Sequence, residues 1–337
     1  MERQKTRPGL ADVARRAGVG LATVDRVLNE RGSVSPGTER RVIDAARALG
    51  LRRILPTPHA RQVRIEVILA RAITPFMQRL TLAMGQVAET LDRSIVIQRT
   101  SLDMSDPASV APRILGSRAD GIIVYCEEHR ANVAAIAASE EAGRPVICVV
   151  TDVPGSPRSA YVGIDHAKAG RTAGFFAARM VRRPGRAIVI STSEGFRAHR
   201  QRIDGFREAL ALHNPDIAVI SGLITGDDQD RAYHLVAEAL RGGSDVTAVY
   251  NTGGGNRGAA LAIRDAGRTG ATLFLGHELT EETRVLLRCG EMTVTIDQAP
   301  ELQARRSIDL MLNRLGVTAG PKMEAEIGFT LHTAENC

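Results

Sequence analysis

The sequence predicts a two-lobed α/β protein that carries a small all-α head at its N-terminus. Three observations lead there. The first fifty residues combine helical apolar spacing with an excess of basic charge. From Val63 onward, runs rich in Val and Ile alternate with helical stretches, the pattern of parallel sheets built from βαβ units. That alternating part is about 275 residues long, more than one sheet comfortably holds.

In the head, Leu10, Val13, Ala14 and Ala17 fall at i, i+3, i+4 and i+7, one apolar helical face. Gly18 is expected to end that helix, because glycine enters the left-handed conformation without a Cβ clash. Gly20 opens a second helix with Leu21, Val24, Val27 and Leu28 as its apolar positions. Two helices joined by a short Gly-containing turn are the helix-turn-helix signature. Ser35-Pro36 begins a third helix, Ser as the cap and Pro where no backbone donor is needed. Its apolar positions are Val42, Ala45, Ala46 and Leu49, and Gly50 stops it. Residues 1–62 hold 13 Lys and Arg against 6 Asp and Glu, while the whole chain is only +6. The positive excess therefore sits on the helical segment, as phosphate neutralisation requires.

Residues 51–62 read as a linker, since Pro56 and Pro58 break any helix there. Strands are expected at VRIEVILA, SIVIQRT, DGIIVYC, PVICVV, AIVIST, IAVIS, TAVYN, TLFLG and VTID, with a helix starting at Phe76. Their near-continuous apolar runs suit strands buried on both faces.

Other motifs compete for attention. Gly253-Gly-Gly-Asn-Arg-Gly258 fits G-x-G-x-x-G, follows a strand and opens a helix, with Glu278 twenty residues after its last glycine. That is the dinucleotide fingerprint, although the unit is late in the βα series. His277-Glu278-Leu-Thr-Glu281 matches half of a zinc-protease helix but lacks its second His. Cys126, Cys148, Cys289 and Cys337 have no metal-ligand spacing, and reduced thiols are expected. No metal and no cofactor are expected. No apolar run is long enough to span a membrane, and the polar N-terminus does not read as a signal peptide. A cytoplasmic protein is expected.

DVARRAGVGLATVDRVLN, followed by VSPGTERRVIDAARALG, resembles the N-terminal domain of the LacI/GalR family of bacterial transcription regulators. The later segments TDVPGSPRSAYVGIDHAKAGRTAG, FRAHRQRIDGF, YNTGGGNRG, GHELT and TIDQ resemble the same family's effector domain. The resemblance implies two Rossmann-like lobes of the type I periplasmic-binding-protein kind. They are expected at 63–162 with 298–321 and at 163–297 with 322–337, after a head at 1–50 and a linker at 51–62. By resemblance Leu21, Ala22 and Arg26 occupy base-reading positions, and Thr23 and Asn29 hold the DNA backbone. An arginine can read guanine O6 and N7 together, and Leu21 and Ala22 offer apolar contact to a thymine methyl. Gly20 and Asp25 stand where the family usually has Ser. The family's hinge pattern N-x-x-A-x-x-L is absent, leaving Leu55 as a candidate wedge. Ligand residues implied by position are Phe76, Tyr125, Asp152, Arg200, Asn251, Asn256, Glu278 and Gln298, at carboxyl ends of strands where open α/β sheets bind ligands. That set suits a polyol.

The resemblance thus implies a homodimeric, non-enzymatic regulator, a repressor of a near-palindromic double-stranded DNA operator that responds to a sugar or similar polar metabolite. The competing reading is a cytoplasmic sugar- or nucleotide-cofactor-binding protein whose helical head only dimerises.

Overall fold

The computed structural model describes residues 8–29, 34–51, 62–104, 106–243, 245–318 and 324–337. The linker at 52–61, with Leu55, lies outside them. The chain divides into two compact units, residues 1–63 with 92–96 and the remainder.

In the first unit, α1 (Leu10–Ala17), α2 (Leu21–Leu28) and α3 (Pro36–Ala48) enclose a small core. Val13, Val24, Val42, Ile43 and Ala46 meet there with no solvent exposure. Gly18 ends α1 at φ 65° and ψ 39°, the left-handed cap the sequence predicts. Asp12 accepts from the Gly9 backbone N–H at 2.9 Å, at the positive end of α1. Ser35 does not cap α3 through the backbone; its Oγ bonds Thr38 Oγ1 at 2.9 Å.

The second unit contains two sheets. The first orders its strands β2-β1-β3-β4-β5. They are β1 (Val63–Ala70), β2 (Ile95–Leu102), β3 (Gly121–Val124), β4 (Val146–Val149) and β5 (Ala160–Val162). Between them run α4 (Pro75–Glu89), α5 (Val110–Gly116) and α6 (Arg130–Glu141). Ile68, Ile122, Val124 and Val146 share a core with Val110, Ile114, Ala135 and Ile136 of α5 and α6.

The second sheet runs β11-β10-β9-β8-β6-β7. Its strands are β6 (Gly185–Ser191), β7 (Ile217–Ile224), β8 (Val246–Asn251), β9 (Leu273–His277), β10 (Val294–Asp297) and β11 (Thr330–His332). Its helices are α7 (His166–Met180), α8 (Arg197–His213), α9 (Gln229–Arg241), α10 (Asn256–Asp265) and α11 (Glu281–Arg288). β11 pairs antiparallel to β10, and the pairings among β6 to β10 are parallel. Helix α12 (Pro300–Arg314) follows β10 of this sheet but packs on α4 and on β3, β4 and β5 of the other. The chain therefore crosses between lobes after β5 and after β10, and returns to the second sheet for β11.

Both sheets share one order: the first strand lies between the second and the third. In that order the connections from neighbouring strands leave in opposite directions, opening a crevice at the strands' carboxyl ends. β5 and β11 escape a reading by apolar runs. Each is only three residues long, too short to show a period.

Candidate functional site

The carboxyl ends of both sheets converge on one cavity of about 570 Å³, within the usual range for small-molecule sites. The first lobe contributes residues that follow β1, β2, β3 and β4, and the second lobe those that follow β6, β7, β8, β9 and β10. An apolar wall stands on one side. Tyr125 and Phe196 stack with centroids 4.8 Å apart and planes 12° from parallel, one ring from each lobe. Phe76 also lines the cavity, just inside the start of α4. There Thr74 caps the helix by accepting from the Met77 N–H, and Pro75 fills its first position.

The polar side centres on Arg202, which is only 3% exposed. Its Nε donates to His166 Nδ1 at 3.2 Å, Nη1 to Thr252 O at 2.6 Å, and Nη2 to Gln298 Oε1 at 3.0 Å. Burial and this guanidinium press the neighbouring histidines toward neutrality. His199 is pushed down to about 3, and His166 and His277 fall well below the usual range. Gln298 in turn donates to Glu278 Oε1.

Glu278 sits at φ 74°, an uncommon conformation for a non-glycine residue. The surrounding structure fixes it there: its N–H donates to Ile296 O at 2.9 Å. Its carbonyl accepts from Thr283 Oγ1 at 2.7 Å and Thr295 Oγ1 at 3.1 Å. Burial, then the nearby Asp297, raise its carboxyl to about 8, against the pull of Arg202, Gln298 and Arg79.

Of the eight ligand residues expected from sequence, Phe76, Tyr125, Asn256, Glu278 and Gln298 line this cavity. Asp152, Arg200 and Asn251 are not among its lining residues. Asp152 shapes its own loop, accepting from the Val153 N–H at 2.8 Å and from Arg158 Nη2 at 2.6 Å. Asn251 is fully buried and spends its amide on Gly254 O and Asn256 Oδ1.

Arg200 stands outside that lining, and its place on the helix shows why. On α8 the buried face runs Ala198, Arg202, Gly205, Phe206, Ala209. Arg200 stands two residues from Arg202, roughly 200° around the helix. It bonds Glu194 O, Gly195 O and Glu128 Oε2 instead. The small and apolar residues flanking Arg202 at helical spacing were the signal for the inward arginine. Phe196, His199, Asp227 and Glu127 also line the cavity and were missed: His199 sits on the buried face of α8, and the other three lie in segments after strands that carry no period.

The glycine-rich run has a packing explanation. Gly255 adopts φ 90°, and a Cβ on Gly258 would stand 1.9 Å from Gln229 O of α9. The glycines thus seat α10 against α9. Asp227 accepts from the Gly254 N–H at 2.7 Å and from Thr192, so an acidic side chain faces the loop where a phosphate would need donors.

Contacts also cross the cleft from lobe to lobe. Glu128 receives Arg200 Nη2 at 3.0 Å and Arg197 Nη1 at 3.7 Å, and Glu127 accepts from Ser193 Oγ at 2.9 Å. Arg79 of α4 donates to Leu279 O at 3.0 Å and to Asp297 Oδ2 at 2.5 Å.

In the head, α2 buries Val24, Val27 and Leu28 and turns outward Leu21, Ala22 and Arg26, with Leu21 54% exposed. Thr23 is half-buried. Asn29 Nδ2 donates to Asp25 Oδ1 at 2.7 Å and to Asp25 O at 3.0 Å. The family departure at Asp25 is thus tied to the end of its own helix.

Fold and cleft define a two-lobed binding protein of the periplasmic type with a helix-turn-helix head. Residues 65–317 match the family described as Periplasmic binding protein domain, and residues 9–53 match the lacI family of bacterial regulatory proteins. The chain belongs to the periplasmic-binding-protein-domain family and carries a LacI-family helix-turn-helix at residues 9–53. The sucrose operon repressor of Escherichia coli is 38% identical over 124 residues, covering 34% of this chain and 36% of that protein. The chain thus matches about a third of that relative's length. The HTH-type transcriptional regulator MalR of Clostridium butyricum is 23% identical across 72% of this chain and 73% of its own. A solute-binding protein from Burkholderia graminis, solved with D-arabinose, superposes with a TM-score of 0.75 at 21% identity, covering 83% of this chain and 98% of that one. Among the described residues no helix is long and apolar enough to cross a membrane, and no cluster of His, Cys, Asp and Glu suits a metal ion.

Proposed function

We propose that this chain is a sequence-specific DNA-binding transcription regulator, a repressor that acts as a homodimer on a near-palindromic operator. A sugar or similar small polar metabolite clamped between its lobes controls it. The observation that carries the reading is the combination in one chain of an outward-facing second helix and a cavity framed by two sheets of the same strand order. The names of its relatives, among them repressors and a ribose import binding protein, support both halves.

In this reading Arg26 reads guanine, Leu21 and Ala22 meet a thymine methyl, and Thr23 and Asn29 hold the backbone. Two heads on a two-fold axis read two half-sites. Ligand binding stabilises the closed cleft, already spanned by Glu128 with Arg200, Glu127 with Ser193, and Arg79 with Asp297. Closure changes the spacing of the two linkers. The coupling is reciprocal: whatever factor the ligand takes from operator affinity, the operator takes from ligand affinity.

The test is a gel shift on the DNA upstream of the chain's own gene, with Arg26→Ala beside the unaltered protein and a panel of sugars and amino sugars. Specific binding lost in the variant and altered by at least one ligand is the expected result. No specific binding by the unaltered protein, with or without ligands, overturns the regulator reading.

A further inference from the structure

Several donors of the cavity are already bonded within the protein, while its carboxylates keep acceptor positions. Asn256 Nδ2 donates to His277 O at 3.0 Å, and Gln298 Nε2 to Glu278. Each of the three nitrogens of Arg202 already donates within the protein. The hydroxyls of Thr192 and Ser193 go to Asp227 and Glu127. A carboxylate offers about four acceptor positions, so Glu127, Asp227 and Glu278 retain capacity after these bonds. Glu278 is 7% exposed, and its Oε2 has no hydrogen-bond partner among the described residues.

The charge balance points the same way. Arg79 Nη1 stands 3.9 Å from Glu278 Oε2 but is engaged by Asp297 and, through its other nitrogens, by Glu301. Among the lining residues besides Arg71 and Asp103, Arg202 is basic and Glu127, Asp227, Glu278 and Glu282 are acidic. The exposed pair Arg71 and Asp103, 3.4 Å apart, cancels itself. A neutral polyol would satisfy hydrogen bonds but would not offset the cost of ionising these carboxyls away from water, and buried charge is costly unless paired. The strained backbone at Glu278 is of the kind that persists where a side chain must be aimed.

We infer that the ligand of this cleft is a hydroxylated ammonium, an amino sugar or amino polyol, whose protonated nitrogen donates to Glu278 while its apolar face lies on Tyr125 and Phe196. Asp227 and Glu127 add to the attracting field, and the stacked rings offer a π face to the cation. Burial holds both Glu278 and Asp227 above the usual carboxylate range, a cost that a bound cation relieves. The inference rests on the cleft being the effector site.

The experiment is calorimetric titration of the full-length chain at pH 7 with matched probes that differ in one amino group. The pairs are D-glucosamine with D-glucose, D-galactosamine with D-galactose, and 1-amino-1-deoxy-D-sorbitol with D-sorbitol. At least one amine should bind about tenfold or more tighter than its hydroxyl partner. Glu278→Gln should remove that preference, weakening the amine by about tenfold more than its neutral partner. Asp227→Asn should weaken the amine in the same direction, and it serves if Glu278→Gln does not fold. A neutral probe that binds as tightly as its amine overturns the inference and leaves the cleft as a sugar site. Binding of neither member of any pair overturns the inference and, with it, the sugar-like reading of the cleft.

Discussion

Two arginines summarise how differently the head and the cleft are built. Arg26 lies on the exposed face of an eight-residue helix. Arg202 is buried and bonded to residues 36, 50 and 96 positions away. One site is a surface that local sequence lays out. The other is an assembly that exists only when two sheets have folded. Substitutions in the first should alter recognition without touching stability, whereas substitutions in the second should alter both.

The largest effect should come from Arg202→Ala. It strands His166, Gln298 and the Thr252 carbonyl in a buried site, and each unsatisfied group costs roughly 1–3 kcal/mol. A loss of about 3 kcal/mol in urea unfolding is expected, with ligand binding abolished. A change below 1 kcal/mol would mean the arginine is not a structural hub. Gly258→Ala comes next, at about 2 kcal/mol, because its Cβ would meet the Gln229 backbone at 1.9 Å. Unchanged stability there would undo the packing account of the glycine-rich run and revive a phosphate-cradling one.

Arg26→Ala should cost about 2 kcal/mol of operator affinity, with the melting temperature unmoved. A melting shift of several degrees would show that the head does not separate recognition from stability.

Titration of Glu278 sharpens the contrast within the cleft. Its folded pKa of about 8 stands above the ordinary 4.5, so the folded state binds more protons than the unfolded chain between those values. Stability should fall as pH rises through that window, by at most about 1.4 kcal/mol per pH unit. The charged groups facing it are Asp297, Arg202 and Arg79. Glu278→Gln should flatten the slope; an identical slope in both proteins would remove Glu278 as its source. The smallest effect belongs to Gly18→Ala in the head, about 1 kcal/mol. There the penalty is the left-handed backbone alone, since nothing lies within 4 Å of the added Cβ.

Much of the head was legible because its signals are local. The helix ends at Gly18 and Gly20 and the buried positions Val24, Val27 and Leu28 follow from spacing alone. The strands of the body were legible for the same reason, apart from β5 and β11. The cleft was legible in part. Tyr125, Glu278 and Gln298 follow recognisable strands, but the choice between Arg200 and Arg202 turned on which flank of α8 faces inward. Asp227 and Glu127 gave no signal, since a lone carboxylate in a loop looks like solvated surface.

Pattern along the chain was enough for the alternation of strands and helices, the three-helix head and the family resemblance of each. Those are set by periodicity, glycine and proline chemistry, and side-chain patterning over a few turns of chain. Which side chains meet in the cleft, and which donors are already bonded there, emerges only from the folded chain. Hydrogen-bond partners and burial arise from residues far apart in the chain. An arginine's neighbours, and a carboxylate's lack of them, are therefore properties of the assembled fold.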